Sequence, residues 1–330
     1  MRKLLGFLSL WGAFAGAAFA VFTGPALAFA PERPECVAPA QPGGGFDLTC
    51  RIAGQALLET GQIKRPMSVT FMPGGIGAVA YNAMNTTRAE DGDAIVAFSG
   101  GSLLNLAQGK FGQFDVDDAR WLAAAGTDYG AVIVRTDAKW QTLQELTADL
   151  KNDLGSIVIG AGGTIGSQDW MKAAILVQAA GTDPKAMRYV AFEGGGESFT
   201  ALLGGHIQVY TGDVAEQVAN IEAGQVRVLA VLAPERLPAP FDQIPTAKEQ
   251  GVDIEWEIIR GYYMGPKVSD EAYNWWVQAF QALYGTEEFA KIRADKGLFE
   301  FNLAGADLDQ YIHERVQSYR TLAKDMGLVK

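Results

Sequence analysis

The feature that most constrains the fold is a regular alternation of short apolar runs with longer segments of helical periodicity. Runs typical of strands occur at 37–40, 67–71, 94–98, 132–135, 157–161, 188–192, 207–211 and 226–232. Amphipathic segments lie between them, at 48–60, 78–86, 143–154, 167–180, 198–203 and 214–223. This order predicts an α/β fold with largely parallel sheets.

The end of the chain has a different pattern. Helical periodicity dominates at 270–284, 287–296 and 307–326, and only a short strand is expected near 298–301. We expect this part to return as helices against an existing sheet rather than to form a third domain.

Glycine is concentrated where predicted strands end and helices begin, at 43–45, 74–77, 100–101, 162–166 and 194–196. Helix N-termini leave backbone N–H groups unpaired, so such loops suit a bound anion. Loops at the carboxyl ends of strands also converge on one crevice in open α/β sheets. Glycine serves tight turns that bind nothing as well. The repeated pairing with polar neighbours favours a binding crevice; these neighbours are Asp47, Ser99, Ser102, Ser167 and Ser198.

The N-terminal segment predicts export. Arg2 and Lys3 precede a stretch from Leu4 to Ala30 without a charged side chain, which closes on small residues around Ala28. That order is typical of a secretory signal peptide, with cleavage expected near Ala28. An uncleaved membrane anchor is the alternative, since about 20 apolar residues span a bilayer, but glycine and Pro25 interrupt the run.

Charge and cysteine content narrow the function classes. The formal charge of −11 becomes two units more negative without Arg2 and Lys3, which disfavours nucleic acid and anionic membranes as partners. Cys36 and Cys50 are the two cysteines, and export favours a disulfide between them over two free thiols.

The usual catalytic and cofactor motifs are absent from the sequence. Residues 75–80 match a G-x-G-x-x-A fingerprint, but the acidic residue expected after the next strand is missing. The chain has two histidines, His206 and His313, in a turn-like and a polar helical context, and no zinc-type or calcium-type spacing. We therefore expect no catalytic residue, no metal and no cofactor.

The ordered motifs resemble those of a known family. Residues 37–51 are similar to the opening strand, glycine loop and helix of the receptors of tripartite tricarboxylate transporters, also called Bug receptors. The segments 72–77, 88–93, 163–167, 189–196 and 201–207 continue the resemblance in order over the mature chain.

This resemblance implies a type II periplasmic-binding-protein fold with two α/β lobes that close on a hinge. We expect a signal peptide over 1–28, a first lobe over 29–126 and 256–330, and a second lobe over 127–255. Similar receptors bind organic acids through backbone N–H groups and ordered water. The expected lining is Pro42, Gly43, Gly44, Gly45, Phe46, Asp47, Gly74, Gly75, Ile76, Gly77, Ser99 and Ser102 in the first lobe, and Gly163, Thr164, Gly166, Ser167, Gly195, Gly196, Glu197, Thr211 and Asp213 in the second.

Two side chains have alternative interpretations. Arg260 lies near the lobe junction and is expected either to bind a carboxylate with its guanidinium fork, which favours a di- or tricarboxylate, or to pair with Glu255 or Glu257. Phe46 is expected either to wall the pocket or to pack on the core face of the first helix.

The sequence thus predicts a monomeric periplasmic receptor that passes a small organic carboxylate to the small and large membrane subunits of a secondary transporter. A sensor subunit for a signalling kinase, and a periplasmic enzyme acting on a carboxylate, are the alternatives.

Overall fold

The computed structural model describes residues 29–329, so the predicted signal segment 1–28 and its cleavage point lie outside the described residues. The strands are β1 Glu35–Ala38, β2 Ser68–Phe71, β3 Ala94–Ser99, β4 Arg120–Tyr129, β5 Ala131–Arg135, β6 Val158–Gly162, β7 Arg188–Phe192, β8 Val209–Tyr210, β9 Val226–Val231 and β10 Glu257–Met264. The helices are α1 Gly45–Glu59, α2 Ala78–Asn85, α3 Gly100–Ala107, α4 Leu143–Asn152, α5 Gln168–Ala179, α6 Gly195–Leu203, α7 Val218–Glu222, α8 Asp270–Leu283, α9 Glu287–Asp295 and α10 Ala306–Asp325.

The strands form two mixed sheets, and each sheet is flanked by helices. The first has the order β2-β1-β3-β10-β4 and the second β7-β6-β8-β5-β9. Strands β1 and β6 pair in parallel with both neighbours, whereas β10 and β5 pair antiparallel with theirs. Two similar α/β lobes result, as expected from the sequence.

The chain passes between the sheets twice. The first passage is at Gly130, between the end of β4 and the start of β5, and the second follows β9 and leads into β10. Gly130 is closely surrounded, because a Cβ there would lie 2.6 Å from Cδ of Lys172. The lobe boundaries expected from the sequence stay a prediction.

Strands β4 and β10, which lie next to the two crossings, were not predicted. Strand β4 contains the buried run Ala123, Ala124 and Ala125, and alanine has little intrinsic preference for strands. Its pairing with β10 along most of its length supplies what local preference lacks. The strand expected near 298–301 is reduced to a bridge between Phe299 and Thr127.

The C-terminal helices cover the first sheet, as predicted. Tyr262 of β10 stacks on Phe280 of α8, with ring centroids 4.8 Å apart. The hydroxyl groups of Tyr273 and Tyr284 donate to carbonyl oxygens of β4, at 2.7 Å and 2.9 Å. None of the helices within 29–329 combines the length and apolar character needed to cross a membrane.

A disulfide joins Cys36 of β1 to Cys50 of α1, which confirms that pairing. The bond closes the segment that contains the first glycine loop, residues 43–45. A loop of about 15 residues closed in this way is worth about 3 kcal/mol in the chain-entropy account.

Candidate ligand-binding crevice

The glycine loops of the two lobes meet face to face. A Cβ on Gly44 would lie 3.4 Å from the backbone nitrogens of both Gly195 and Gly196, so the loops preceding α1 and α6 are in contact. Between them lies a cavity of about 40 Å³. Ordinary ligand pockets measure roughly 300–1,000 Å³. The inner space is much smaller than that, so we infer that the two glycine loops must separate to admit a solute that contacts both of them.

Many predicted site residues border this cavity, which we call the inner cavity. It is lined by Ala40, Gly44, Gly45, Phe46, Ile76, Ser99, Gly101, Gly162, Ser167, Gln168, Asp169, Gly194, Gly195, Asp213, Glu216 and Arg260. A neighbouring cavity of about 430 Å³, the outer cavity, shares Ile76 and Ser167 with it. Gly75, Gly163, Thr164 and Glu197 line the outer cavity together with Asn105, Lys110 and Glu193.

Other predicted residues hold the loops instead of lining either cavity. Asp47 accepts a hydrogen bond from the Gly43 N–H at 2.9 Å and pairs with Arg51 at 2.7 Å. Ser102 completes the capping box of α3, and Thr211 donates to the Asp169 carbonyl at 3.1 Å. The remaining residues outside the lining are Pro42, Gly43, Gly74, Gly77, Gly166 and Gly196.

Ser167 and Phe46 each serve both the crevice and the protein interior. The Ser167 hydroxyl caps α5 by accepting from the Trp170 N–H at 3.2 Å, and it donates to the Gly162 carbonyl at 3.0 Å. Phe46 borders the inner cavity and also packs into the core around α1. Both interpretations of Phe46 therefore describe its position.

Ile76 has an unusual backbone conformation where the two cavities meet. Its φ of 49° is the one positive value at a non-glycine residue in the part of the chain that the structure describes. A β-branched residue in this region is strained, at roughly 1–3 kcal/mol. The flanking turns through Gly75 and Gly77 hold the side chain at the cavity border.

Arg260 lies at the base of the inner cavity, and its partners were not predicted. Its guanidinium group is buried and lies 2.9 Å from Asp128, 2.6 Å from Asp213 and 3.2 Å from Glu216. The proposed pairing with Glu255 or Glu257 is wrong, because those residues pair with Lys248 and Arg315 at the surface. The guanidinium is also not a free fork, since three carboxylates already surround it.

A second buried cation, Lys172, completes the cluster. Its ammonium lies 2.8 Å from Asp169 and also contacts Asp213. Sequence reasoning missed Asp128, Asp169, Lys172 and Glu216; a charged pair on one face of α5, at 169 and 172, was the available local signal. We call these six side chains, Asp128, Asp169, Lys172, Asp213, Glu216 and Arg260, the buried ionic cluster.

The carboxyl groups of this cluster differ in acidity. Burial raises the pKa of Glu216 to about 8, and nearby Asp213 adds to the effect. Burial also raises the pKa of Asp128 to about 6, against the attraction of Arg260. Burial opposes ionisation of Asp213 too, but Lys172 and Arg260 hold its pKa below the usual range. Near neutral pH, Glu216 therefore holds a proton that Asp213 does not.

The raised pKa of Glu216 predicts a stability that falls with rising pH. The folded state keeps this proton up to about pH 8, whereas an unfolded glutamate loses it near pH 4.3. The contribution is thus complete below about pH 4 and lost as the pH rises through about 8. We expect the melting temperature to fall between pH 5 and pH 8.5, and to fall less in Glu216→Gln. If the melting temperature falls equally with pH in the two proteins, this assignment is wrong.

The described residues 29–329 contain no group of three or more His, Cys, Asp or Glu side chains arranged to hold a metal ion. His313 contacts Asp117 at 2.8 Å and lines neither cavity. The polar lining of the inner cavity consists of the glycine backbone, the hydroxyl groups of Ser99 and Ser167, the amide of Gln168 and four members of the buried ionic cluster, Asp169, Asp213, Glu216 and Arg260.

Comparisons with known proteins agree with this architecture. A Cupriavidus necator protein, the UPF0065 protein in the gbd 5' region, is 25% identical over 307 residues, which cover 91% of this chain and 89% of that protein. The solved structure of the periplasmic binding protein BugD superimposes with a TM-score of 0.81 at 20% identity, covering 91% of this chain and all of that one. MatC from Rhodopseudomonas palustris, with bound malate, gives a TM-score of 0.74 at 17% identity, covering 88% and 98%.

A family model settles the classification. The model described as tripartite tricarboxylate transporter family receptor matches residues 59–328, which is most of the chain. This confirms the resemblance found in the ordered motifs. The family consists of periplasmic solute-binding receptors rather than enzymes. The chain belongs to the receptors of the tripartite tricarboxylate transporter family.

Proposed function

We propose that this receptor captures a small organic carboxylate between its lobes and delivers it to the small and large membrane subunits of a tripartite tricarboxylate-type transporter. One observation supports this most strongly. Helices α1 and α6, from different lobes, begin at the same cavity, and neither N-terminus has a side-chain cap. A carboxylate between them accepts hydrogen bonds from backbone N–H groups of both helices and is stabilised by both helix dipoles.

Capture follows from the geometry of closure. Each lobe supplies some of the N–H groups, so a carboxylate contacts all of them only when Gly44 and Gly195 approach each other. The solute binds the closed form more tightly and shifts the population towards it. The membrane subunits then distinguish closed from open receptor. Export by cleavage near Ala28 and a monomeric state are part of the same proposal.

The kind of carboxylate needs a separate argument. Malate is bound by MatC, a protein of similar fold. The expectation of a di- or tricarboxylate for this chain depended on a free Arg260 fork, and Arg260 is already paired with three carboxylates. The proposal at this stage is a single carboxylate on the glycine loops.

A thermal-shift screen with small organic acids tests the proposal. A ligand at 100 times its dissociation constant adds about 2.7 kcal/mol of stability, and we expect at least one carboxylate to do so. Gly195→Ala should abolish the shift, because its Cβ would lie 2.0 Å from Glu216 Oε2 inside the crevice. The matched control is Gly285→Ala, whose Cβ meets nothing within 4 Å. A shift with uncharged sugars and with no carboxylate would refute the proposal.

A further inference from the structure

Glu216 occupies a special position between the two lobes. A Cβ on Gly45 would lie 2.5 Å from Glu216 Oε1, and a Cβ on Gly195 would lie 2.0 Å from Oε2. The carboxyl group therefore contacts the first residues of α1 and α6 together. Tyr210 donates to it at 3.1 Å and Arg260 at 3.2 Å, and its side chain is 7% exposed. A solute carboxylate that reaches these helix starts must lie beside Glu216.

Acidic side chains outnumber cations around this position. Arg260 and Lys172 are the two cations of the buried ionic cluster, and Asp128, Asp169, Asp213 and Glu216 are its four acids. Both cations are buried and already contact two or more acids each. The outer cavity adds Lys110 together with Glu193 and Glu197. At the base of the crevice, a second carboxylate on the solute would therefore find no cation that is not already paired with acids.

Gln168 gives an independent indication of what the crevice accepts. Its side chain borders the inner cavity and is 6% exposed, yet its carbonyl oxygen Oε1 has no hydrogen-bond partner among the described residues. Its amide nitrogen is directed to Asp213, at 3.4 Å. A buried acceptor without a donor is costly. This oxygen lies beside Gly100, and a solute that brings an N–H or O–H donor to it would remove that cost.

We propose that Glu216 determines specificity and that the receptor selects solutes with a cationic nitrogen close to the carboxylate. The solute carboxylate accepts hydrogen bonds from the N–H groups at the starts of α1 and α6. Its ammonium group donates to Glu216 and to Gln168 Oε1, and it supplies the positive charge that the cluster lacks. The inference rests on the proposed function and assigns its substrate class.

Release of the Glu216 proton on binding is a second measurable sign of this specificity. In the closed form Glu216 faces Tyr210 of β8, Asp213 of the following loop, Arg260 of β10 and Asp128 of β4, with Asp169 and Lys172 of α5 behind them. Burial keeps its proton to about pH 8. An arriving ammonium group expels that proton, so affinity rises with pH. A dicarboxylate can place its second carboxylate beside Glu216 only while Glu216 keeps its proton, so the affinity for a dicarboxylate falls as pH rises.

Matched solutes test the assignment by isothermal titration calorimetry. The pairs are β-alanine with succinate, and 4-aminobutyrate with glutarate, in which an ammonium replaces one carboxylate. We expect the ammonium member to bind at least tenfold more tightly, with affinity increasing from pH 6 to pH 8. Titrations in buffers of different ionisation enthalpy should show proton release.

Three variants connect the preference to named atoms. Glu216→Gln should remove the tenfold preference and the pH dependence, and Glu288→Gln, an exposed acid on α9, should keep both. Gln168→Leu removes the unpartnered acceptor and should weaken the ammonium member alone, which tests the site even if Glu216→Gln folds poorly. If the dicarboxylate members bind the natural protein at least as tightly as the ammonium members, the inference is wrong and the proposed function stands. If neither member binds while solutes without a carboxylate do, the proposed function itself fails.

Discussion

Replacing Arg260 with methionine is expected to lower the free energy of unfolding by about 3–5 kcal/mol, because the change leaves the buried carboxyl groups of Asp128 and Glu216 without a cation and Asp213 with Lys172 alone. Methionine has a similar length and keeps most of the packing, so the loss reports charge rather than a cavity. Urea unfolding followed by tryptophan fluorescence measures it. The loss should be smaller at pH 5 than at pH 8, since Glu216 and Asp128 are protonated in acid.

Arg236 offers a matched control for this experiment. It also pairs with a carboxylate, that of Glu249 at 2.8 Å, but both side chains are nearly half exposed. Surface pairs of this kind contribute about 0–1 kcal/mol. If Arg236→Met and Arg260→Met lose equal stability, the buried cluster does not have the energetic role assigned to it.

Lys172→Met should be nearly as destabilising, at about 3 kcal/mol or more. The ammonium is fully buried between Asp169 and Asp213, and its stem lies against Gly130 at the first crossing between the lobes. The same urea titration applies, with Lys151→Met as the control. Lys151 is exposed on α4, so its replacement should change stability by no more than about 0.5 kcal/mol. A Lys172→Met protein as stable as the control would contradict the charge assignment.

The sequence predicted the lobes and the loops because both depend on local patterns. Strands with β-branched residues, such as β3 and β9, were found from their apolar runs. The glycine loops were found because each one lies between the end of a predicted strand and the start of the next helix. Strand β4 was missed, since its alanine-rich core depends on β10 for its conformation.

The buried ionic cluster could not be predicted from spacing. Asp128 and Arg260 are separated by 132 positions, and Lys172 and Asp213 by 41, so no helical or strand period links them. Arg260 was recognised as a residue of the lobe junction, but its nearest acids along the chain proved to be surface partners of other cations. Only tertiary packing selects which acid faces a buried guanidinium.

The disulfide between Cys36 and Cys50 has a consequence for where a working receptor can be made. It ties the first glycine loop, at 43–45, to both the strand before it and the helix after it. In a reducing cytoplasm the same chain folds with this loop held by non-covalent contacts alone, and ordering the loop then becomes part of the cost of binding. With the disulfide formed, we expect the loop to present its N–H groups at a smaller ordering cost. If the loop binds the solute as proposed, we expect oxidative maturation to strengthen ligand binding as well as stability, so receptor for a biosensor should be produced in an oxidising host compartment.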